Sequence, residues 1–105
     1  MAAWMLPSKV EGVAGPITVR VVANLKAKDG TRCMGHWDDA TRVVQVDAAL
    51  KGEVLEGTFY HELLHSALDD TGLYRLLSER VSEAACDGVA TAMLRFRKSG
   101  VFGGK

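Results

Sequence analysis

Apolar and polar residues alternate in two stretches of the first half of the chain, which is the pattern of half-buried β-strands. In the first stretch, Ile17, Val19 and Val21 alternate with polar residues. The second covers residues 42–47, and its valines allow one face to pack on helices. A less regular segment, residues 31–37, lies between them and is bounded by turn-forming residues. Because the connections are short, the pattern predicts an antiparallel sheet of about three strands.

The second half of the chain has the longer apolar spacing of helices, in two segments. The first helix is predicted at residues 53–69, where leucines form an apolar stripe and no proline interrupts it. Gly72 suits the left-handed position that ends such a helix. The second helix is predicted to begin after the N-cap Ser78, to run to about Lys98, and to stop at Gly100. The expected fold is an α+β domain with a small antiparallel sheet packed on two long helices.

A chain of 105 residues with 48% hydrophobic and 25% charged residues is predicted to form one domain. Residues 1–16 contain several turn-forming residues, and we expect them to form a loosely held N-terminal arm. Its apolar residues Trp4, Met5 and Leu6 can pack on the core. Residues 100–105 are rich in glycine and are expected to form a flexible tail.

Thirteen basic residues balance thirteen acidic ones, so the formal net charge is zero. The one basic cluster, residues 95–98, closes the second predicted helix, where cations stabilise the macrodipole, and we expect no nucleic-acid partner. No apolar run approaches membrane-spanning length and no signal peptide is recognisable, so we expect a cytoplasmic protein with no membrane partner. Cys33 and Cys86 form no Cys-x-x-Cys pair and are expected to be free thiols.

Two of the three histidines lie in a His-Glu-x-x-His sequence inside the first predicted helix. Residues four apart occupy one helix face, so His61 and His65 can bind one metal ion through their imidazole nitrogens. Glu62 is too far round the helix to be a ligand but close enough to take a proton from a water molecule at the metal. The spacing therefore predicts a zinc site with Glu62 as general base. The structural alternative is a chance spacing on a solvated helix face.

A catalytic zinc ion usually has three protein ligands and an open position for water. No histidine follows His65, which leaves a cysteine or a carboxylate as the third ligand. The second predicted helix has four candidates along one side, namely Glu79, Glu83, Cys86 and Asp87. Glu79 lies nearer the centre of the apolar face, whereas a small cysteine on a helix is better explained by packing.

The two helices together resemble the gluzincin metallopeptidases, of which thermolysin is a familiar member. In that family a helix with His-Glu-x-x-His is followed by a helix with Glu-x-x-x-Asp, which Glu83 and Asp87 match. The resemblance implies that Glu83 is the third zinc ligand, in preference to Glu79. It also implies that Asp87 accepts a hydrogen bond from a ligand imidazole. The similarity covers about residues 42–97 and implies a zincin-like fold with the zinc between the two helices.

In size and pattern the chain is also similar to the small single-domain zincins of phages, prophages and some microbes. It departs from the larger peptidases because it lacks their C-terminal subdomain and has no later histidine to stabilise the oxyanion of the reaction. Tyr74 is the first choice for that role, although packing on neighbouring leucines is an alternative explanation for it. Arg75 and His36 are the other candidates.

The expected function is zinc-dependent hydrolysis of peptide bonds in a peptide or protein substrate, with Glu62 as base and His61, His65 and Glu83 as ligands. The strand at residues 42–47 can bind substrate by strand addition. One alternative is a non-catalytic zinc-binding protein with a regulatory or phage accessory role. Another is a helical module without metal. The sequence leaves the substrate and the oligomeric state open.

Overall fold

The structure, a computed structural model, describes residues 4–100 of the chain. Four strands precede two long helices, which confirms the α+β class. In chain order the elements are β1 (Lys9–Gly12), β2 (Gly15–Val22), β3 (Gly35–Asp38), β4 (Val43–Asp47), α1 (Gly52–Thr71), a short 3₁₀ helix (Leu73–Leu76) and α2 (Glu79–Lys98).

The sheet is mixed, with the strand order β1-β2-β4-β3. β1 pairs with β2 and β3 pairs with β4 in antiparallel fashion, but β2 and β4 are parallel, with Val19 opposite Val44. The prediction of an antiparallel three-strand sheet is therefore wrong. Residues 23–42 connect β2 to β4 and include β3, which makes this connection long enough for the crossover that a parallel pair needs.

Part of the predicted N-terminal arm belongs to the sheet. β1 pairs with β2 along its whole length, and the Val19 backbone N–H donates to the Ser8 carbonyl at 2.9 Å, so the prediction of a loosely held arm is wrong for this segment. Trp4 and Leu6 pack against the core as expected, whereas Met5 is 80% exposed. The predicted tail lies, after Gly100, outside the described residues.

The two helices confirm the predicted boundaries to within two residues. α1 ends at Gly72, whose φ of 75° is left-handed and whose N–H donates to the Asp69 carbonyl. α2 begins after Ser78, whose hydroxyl accepts a hydrogen bond from the Val81 backbone N–H. Neither helix of the described chain is long and apolar enough to span a membrane.

The core lies between the sheet and the two helices. α1 packs on β3 and β4, and α2 packs mainly on α1. The buried apolar side chains come from every layer: Ile17 and Val19 on β2, Trp37 on β3, Val44 and Val46 on β4, Phe59 and Tyr60 on α1, and Ala90 on α2. Since β3 is the edge strand beside α1, it is the strand that borders the space next to the two helices.

Two ion pairs join the start of α1 to the end of α2. Arg97 donates to both carboxylate oxygens of Glu56, at 2.7 and 2.6 Å, and Glu56 is 2% exposed. Lys98 pairs with Glu53 at 2.7 Å on the surface. The helices therefore run in opposite directions, with their short connection at the other end.

Candidate metal centre

α1 places the two motif histidines on one face, one helical turn apart. The Nε2 atoms of His61 and His65 are 3.0 Å apart, and the ring centroids are separated by 4.8 Å. Their side chains are 17% and 28% exposed, so the nitrogens lie at the wall of the cleft rather than in the core. The predicted ligand pair is thus brought together at one point.

α2 adds a carboxylate oxygen to this pair. Glu83 Oε2 lies 2.6 Å from His65 Nε2 and 3.3 Å from His61 Nε2. Ligand atoms around a tetrahedral zinc ion, each about 2.0–2.2 Å from the metal, are roughly 3.3–3.5 Å apart. The three atoms are therefore close to the required separation, and an ion needs them to widen by less than about 1 Å. Two imidazoles and one carboxylate are also a donor set that zinc accepts.

Asp87 determines which ring nitrogen of His61 carries the hydrogen in the neutral imidazole. Its Oδ1 lies 2.7 Å from His61 Nδ1, so Nδ1 carries the hydrogen and donates it to the carboxylate. In the neutral ring this leaves a free lone pair on Nε2, the atom that faces His65 and Glu83. The tautomer that a metal ligand needs is therefore already selected by the contact that the Glu-x-x-x-Asp pattern predicts.

The two rival ligands lie outside the group of three. Within residues 4–100, His61, His65 and Glu83 are the residues whose donor atoms converge, and Glu79 is not among them. Glu79 instead lines the neighbouring cavity. Cys86 is 2% exposed, and burial raises the pKa of its thiol to about 11, so it behaves as a packed core residue. Both cysteines are free thiols, as expected.

Glu62 is buried beside the ligands. It is 8% exposed, and in the described part of the chain its carboxylate has no hydrogen-bond donor. Burial raises the pKa of this carboxyl, against the opposing effect of the neighbouring imidazoles of His61 and His65. A carboxylate with a raised pKa and a free face on a cleft is suited to exchange protons with water or substrate.

Two cavities of about 540 Å³ each meet at Glu62, Glu83 and Gly35. Trp37, Asp69 and Tyr74 are among the residues that line the first. The second extends along α1 and α2 in the other direction and is lined partly by Met34, Val54, Thr58, Ala90 and Leu94. The candidate centre therefore lies in the middle of a cleft that is open on both sides.

The charged side chains of this cleft are acidic. Besides histidines, the charged residue types that line the two cavities are Glu53, Glu62, Asp69, Glu79, Glu83 and Asp87, and no lysine or arginine of the described residues lines them. Carboxylates gathered in this way favour a divalent cation and disfavour anionic ligands.

Of the three candidates for oxyanion stabilisation, Tyr74 and His36 line the first cavity, whereas Arg75 is not among its lining residues. Tyr74 lines the first cavity and is 45% exposed. Its hydroxyl accepts a hydrogen bond from Arg75 Nε at 3.2 Å, which leaves the hydroxyl hydrogen free to be donated. His36 contributes to the same wall, but alternation along β3 assigns its side chain to the face opposite that of Trp37.

The edge strand beside the candidate site is β3, not the predicted strand at residues 42–47. Both edges of β4 are occupied, by β2 and β3, so the prediction that residues 42–47 bind substrate by strand addition is wrong. β3 takes that position, and it brings Gly35 against Glu62. A glycine two residues before a large aromatic residue was the only local sign of this close approach.

No protein-family model, curated protein or solved structure matches the chain.

Proposed function

We propose that the protein is a zinc-dependent metallopeptidase of the gluzincin type, with a zincin-like arrangement of its two helices. The observation that supports the proposal is the convergence of His61 Nε2, His65 Nε2 and Glu83 Oε2, with Asp87 on the far nitrogen of His61. These are the residues that the two helical motifs implied from sequence. Such a donor set leaves a position for water, which is typical of catalytic rather than structural zinc sites.

The residues of the cleft have separate roles in this mechanism. Zinc, when bound, supplies Lewis acidity for the water molecule and for the scissile carbonyl. Glu62 accepts the proton of the attacking water and passes it to the nitrogen of the leaving amine. Its burial raises the pKa of the carboxyl above the ordinary value, which makes it a stronger proton acceptor. Tyr74 donates its hydroxyl hydrogen to the oxyanion that forms at the carbonyl.

The substrate is a peptide that lies along β3. An edge strand offers unpaired backbone groups to which an extended peptide can add as a further strand. The two cavities on either side of Glu62 provide space for substrate residues on both sides of the scissile bond.

Zinc analysis and a peptidase assay on the wild type and on Glu62→Gln test the proposal together. We expect about one zinc ion per chain in both proteins. The amide cannot accept the proton, so activity should fall by about 100-fold or more. Glu11→Gln, at an exposed position of β1 on the far edge of the sheet, is the matched control and should remain fully active.

Each outcome of this experiment has a separate meaning. Zinc without peptidase activity in the wild type would favour the non-catalytic zinc-binding protein. Absence of zinc after expression in zinc-supplemented medium would favour the metal-free module. Full activity of Glu62→Gln would contradict the mechanism but leave the metal centre in place.

A further inference from the structure

Gly35 is the first residue of β3, and it lies where the edge strand crosses α1. Its backbone does not have the positive φ that calls for glycine, so the requirement is not conformational. The reason is steric. A Cβ added at this position would lie 2.8 Å from Thr58 Cγ2, 3.0 Å from Glu62 Cγ and 3.2 Å from Glu62 Oε2.

These contacts involve the side chain of the candidate base directly. Thr58 and Glu62 are one helical turn apart on α1, and both point at β3. The Glu62 carboxylate oxygen itself is among the three nearest atoms, and none of the three belongs to a metal ligand. Glu62 is 8% exposed, and its one free face is on the cleft. A methyl group at Gly35 would therefore push the Glu62 carboxylate toward the cleft and away from its observed position.

β3 is also held in place at this crossing. Two residues after Gly35, the indole Nε1 of Trp37 donates to Asp69 Oδ2 on α1 at 2.7 Å. On the other side, the Met34 carbonyl accepts from the Asp47 backbone N–H at 2.8 Å. With the strand anchored before and after Gly35, an added methyl group would displace the side chains opposite it rather than the strand.

We infer that Gly35 is a positioning residue. Because it has no Cβ, the Glu62 carboxylate can occupy its observed position against β3. The inference rests on the proposed peptidase function, because only in that function does the position of this carboxylate determine a rate. Gly35 contributes no atom to the reaction. It acts through Glu62, and the expected signature is a loss of kcat without a loss of zinc.

The test is Gly35→Ala, measured for zinc content, thermal unfolding, kcat and KM. We expect zinc to stay near one ion per chain while kcat falls roughly tenfold. This is less than the roughly 100-fold cost of moving a catalytic group by about 1 Å, because contacts of 3.0 and 3.2 Å displace Glu62 by a few tenths of an ångström. KM should change much less. Gly88→Ala, on α2, is the matched control, since no atom lies within 4 Å of its added Cβ, and it should keep wild-type kcat.

A second variant separates displacement of Glu62 from a general packing defect. Gly35→Ala combined with Thr58→Ser removes Cγ2, the atom nearest to the new methyl group. If the inference is right, the double variant recovers thermal stability but keeps the low kcat, since the contacts with Glu62 remain. Thr58→Ser alone shows the effect of that change by itself.

Several outcomes would overturn the inference. One is a kcat of Gly35→Ala within about twofold of the wild type. Another is a parallel loss of zinc and activity in Gly35→Ala. A third is a recovery of kcat together with thermal stability in the double variant. Failure of both variants to fold would assign Gly35 to the packing of β3 on α1 alone. An inactive wild type would instead reject the proposed function, on which the inference depends.

Discussion

Zinc affinity should separate the roles of three acidic side chains near the ligand histidines. Glu83→Ala removes an oxygen 2.6 Å from His65 Nε2, so the centre keeps only two of its three donor atoms. Asp87→Ala keeps all three donors and removes the acceptor 2.7 Å from His61 Nδ1. Glu79→Ala changes only the cavity wall. The expected order of affinity loss is therefore Glu83, then Asp87, then Glu79.

The size of each loss follows from these contacts. Removing the acceptor behind a ligand histidine typically weakens metal binding about 10–100-fold, or about 1.4–2.8 kcal/mol. Because the Asp87 side chain is 76% exposed, water can replace it, and we expect the lower limit of about tenfold. The loss of Glu83 as a ligand should exceed about 100-fold. Glu79→Ala should stay within about twofold of the wild type, as expected for a surface substitution.

Competition with a chromophoric zinc chelator at neutral pH measures these affinities. His61→Ala gives the reference for a destroyed centre, and circular dichroism verifies that each variant is folded. Equal affinities of Glu83→Ala and Glu79→Ala would refute the assignment of the third ligand. A wild-type affinity in Asp87→Ala would show that this carboxylate does not support His61.

The remaining predictions concern the oxyanion and the fold. An oxyanion donor is worth about 3 kcal/mol, so Tyr74→Phe should lower kcat roughly 100-fold or more at constant zinc content, and an unchanged kcat would remove Tyr74 from the mechanism. Arg97→Met leaves the buried Glu56 carboxylate without its cationic partner, with only the Tyr60 hydroxyl still donating to it, and should lower the free energy of unfolding by about 3 kcal/mol at pH 7. Lys98→Met, which removes the exposed pair with Glu53, should cost less than about 1 kcal/mol in the same urea titration. Burial raises the pKa of Glu56, but hydrogen bonds, chiefly from Arg97, outweigh burial and hold the pKa below its ordinary value. That contribution to stability is present above the unfolded-state pKa of about 4.3 and is lost as the pH falls through the folded pKa, so the effect of Arg97→Met should shrink in acid.

The helical half of the fold could be predicted because its signals are local. The serine at the start of α2 and the glycine at the end of α1 act on the backbone within one turn of themselves. The same locality applies to the candidate metal centre, since the spacing of His61 and His65 on α1 determines their relative position whatever the rest of the chain does.

The sheet could not be predicted in the same way because its pairing is not local. The sequences of β2 and β4 do not indicate that the two strands are parallel neighbours, because alternation indicates only which face of a strand is buried. β1 is short and only its Val10 packs on the core, so its pattern was too weak to be recognised. The close contact of Gly35 with α1 could not be predicted for the same reason, because it depends on how closely β3 approaches that helix.

The helix pair is closed at both ends by contacts of the protein itself. The short connection joins the helices at one end, and the buried pair of Glu56 and Arg97 joins them at the other. In zinc fingers the free energy of metal binding also folds the chain. Here the contacts at both ends of the helix pair do not involve a metal, so we expect the domain to stay folded when any bound cation is removed. In that case the proposed centre should discriminate between cations by ionic radius and preferred coordination number, not by how well each one orders the chain.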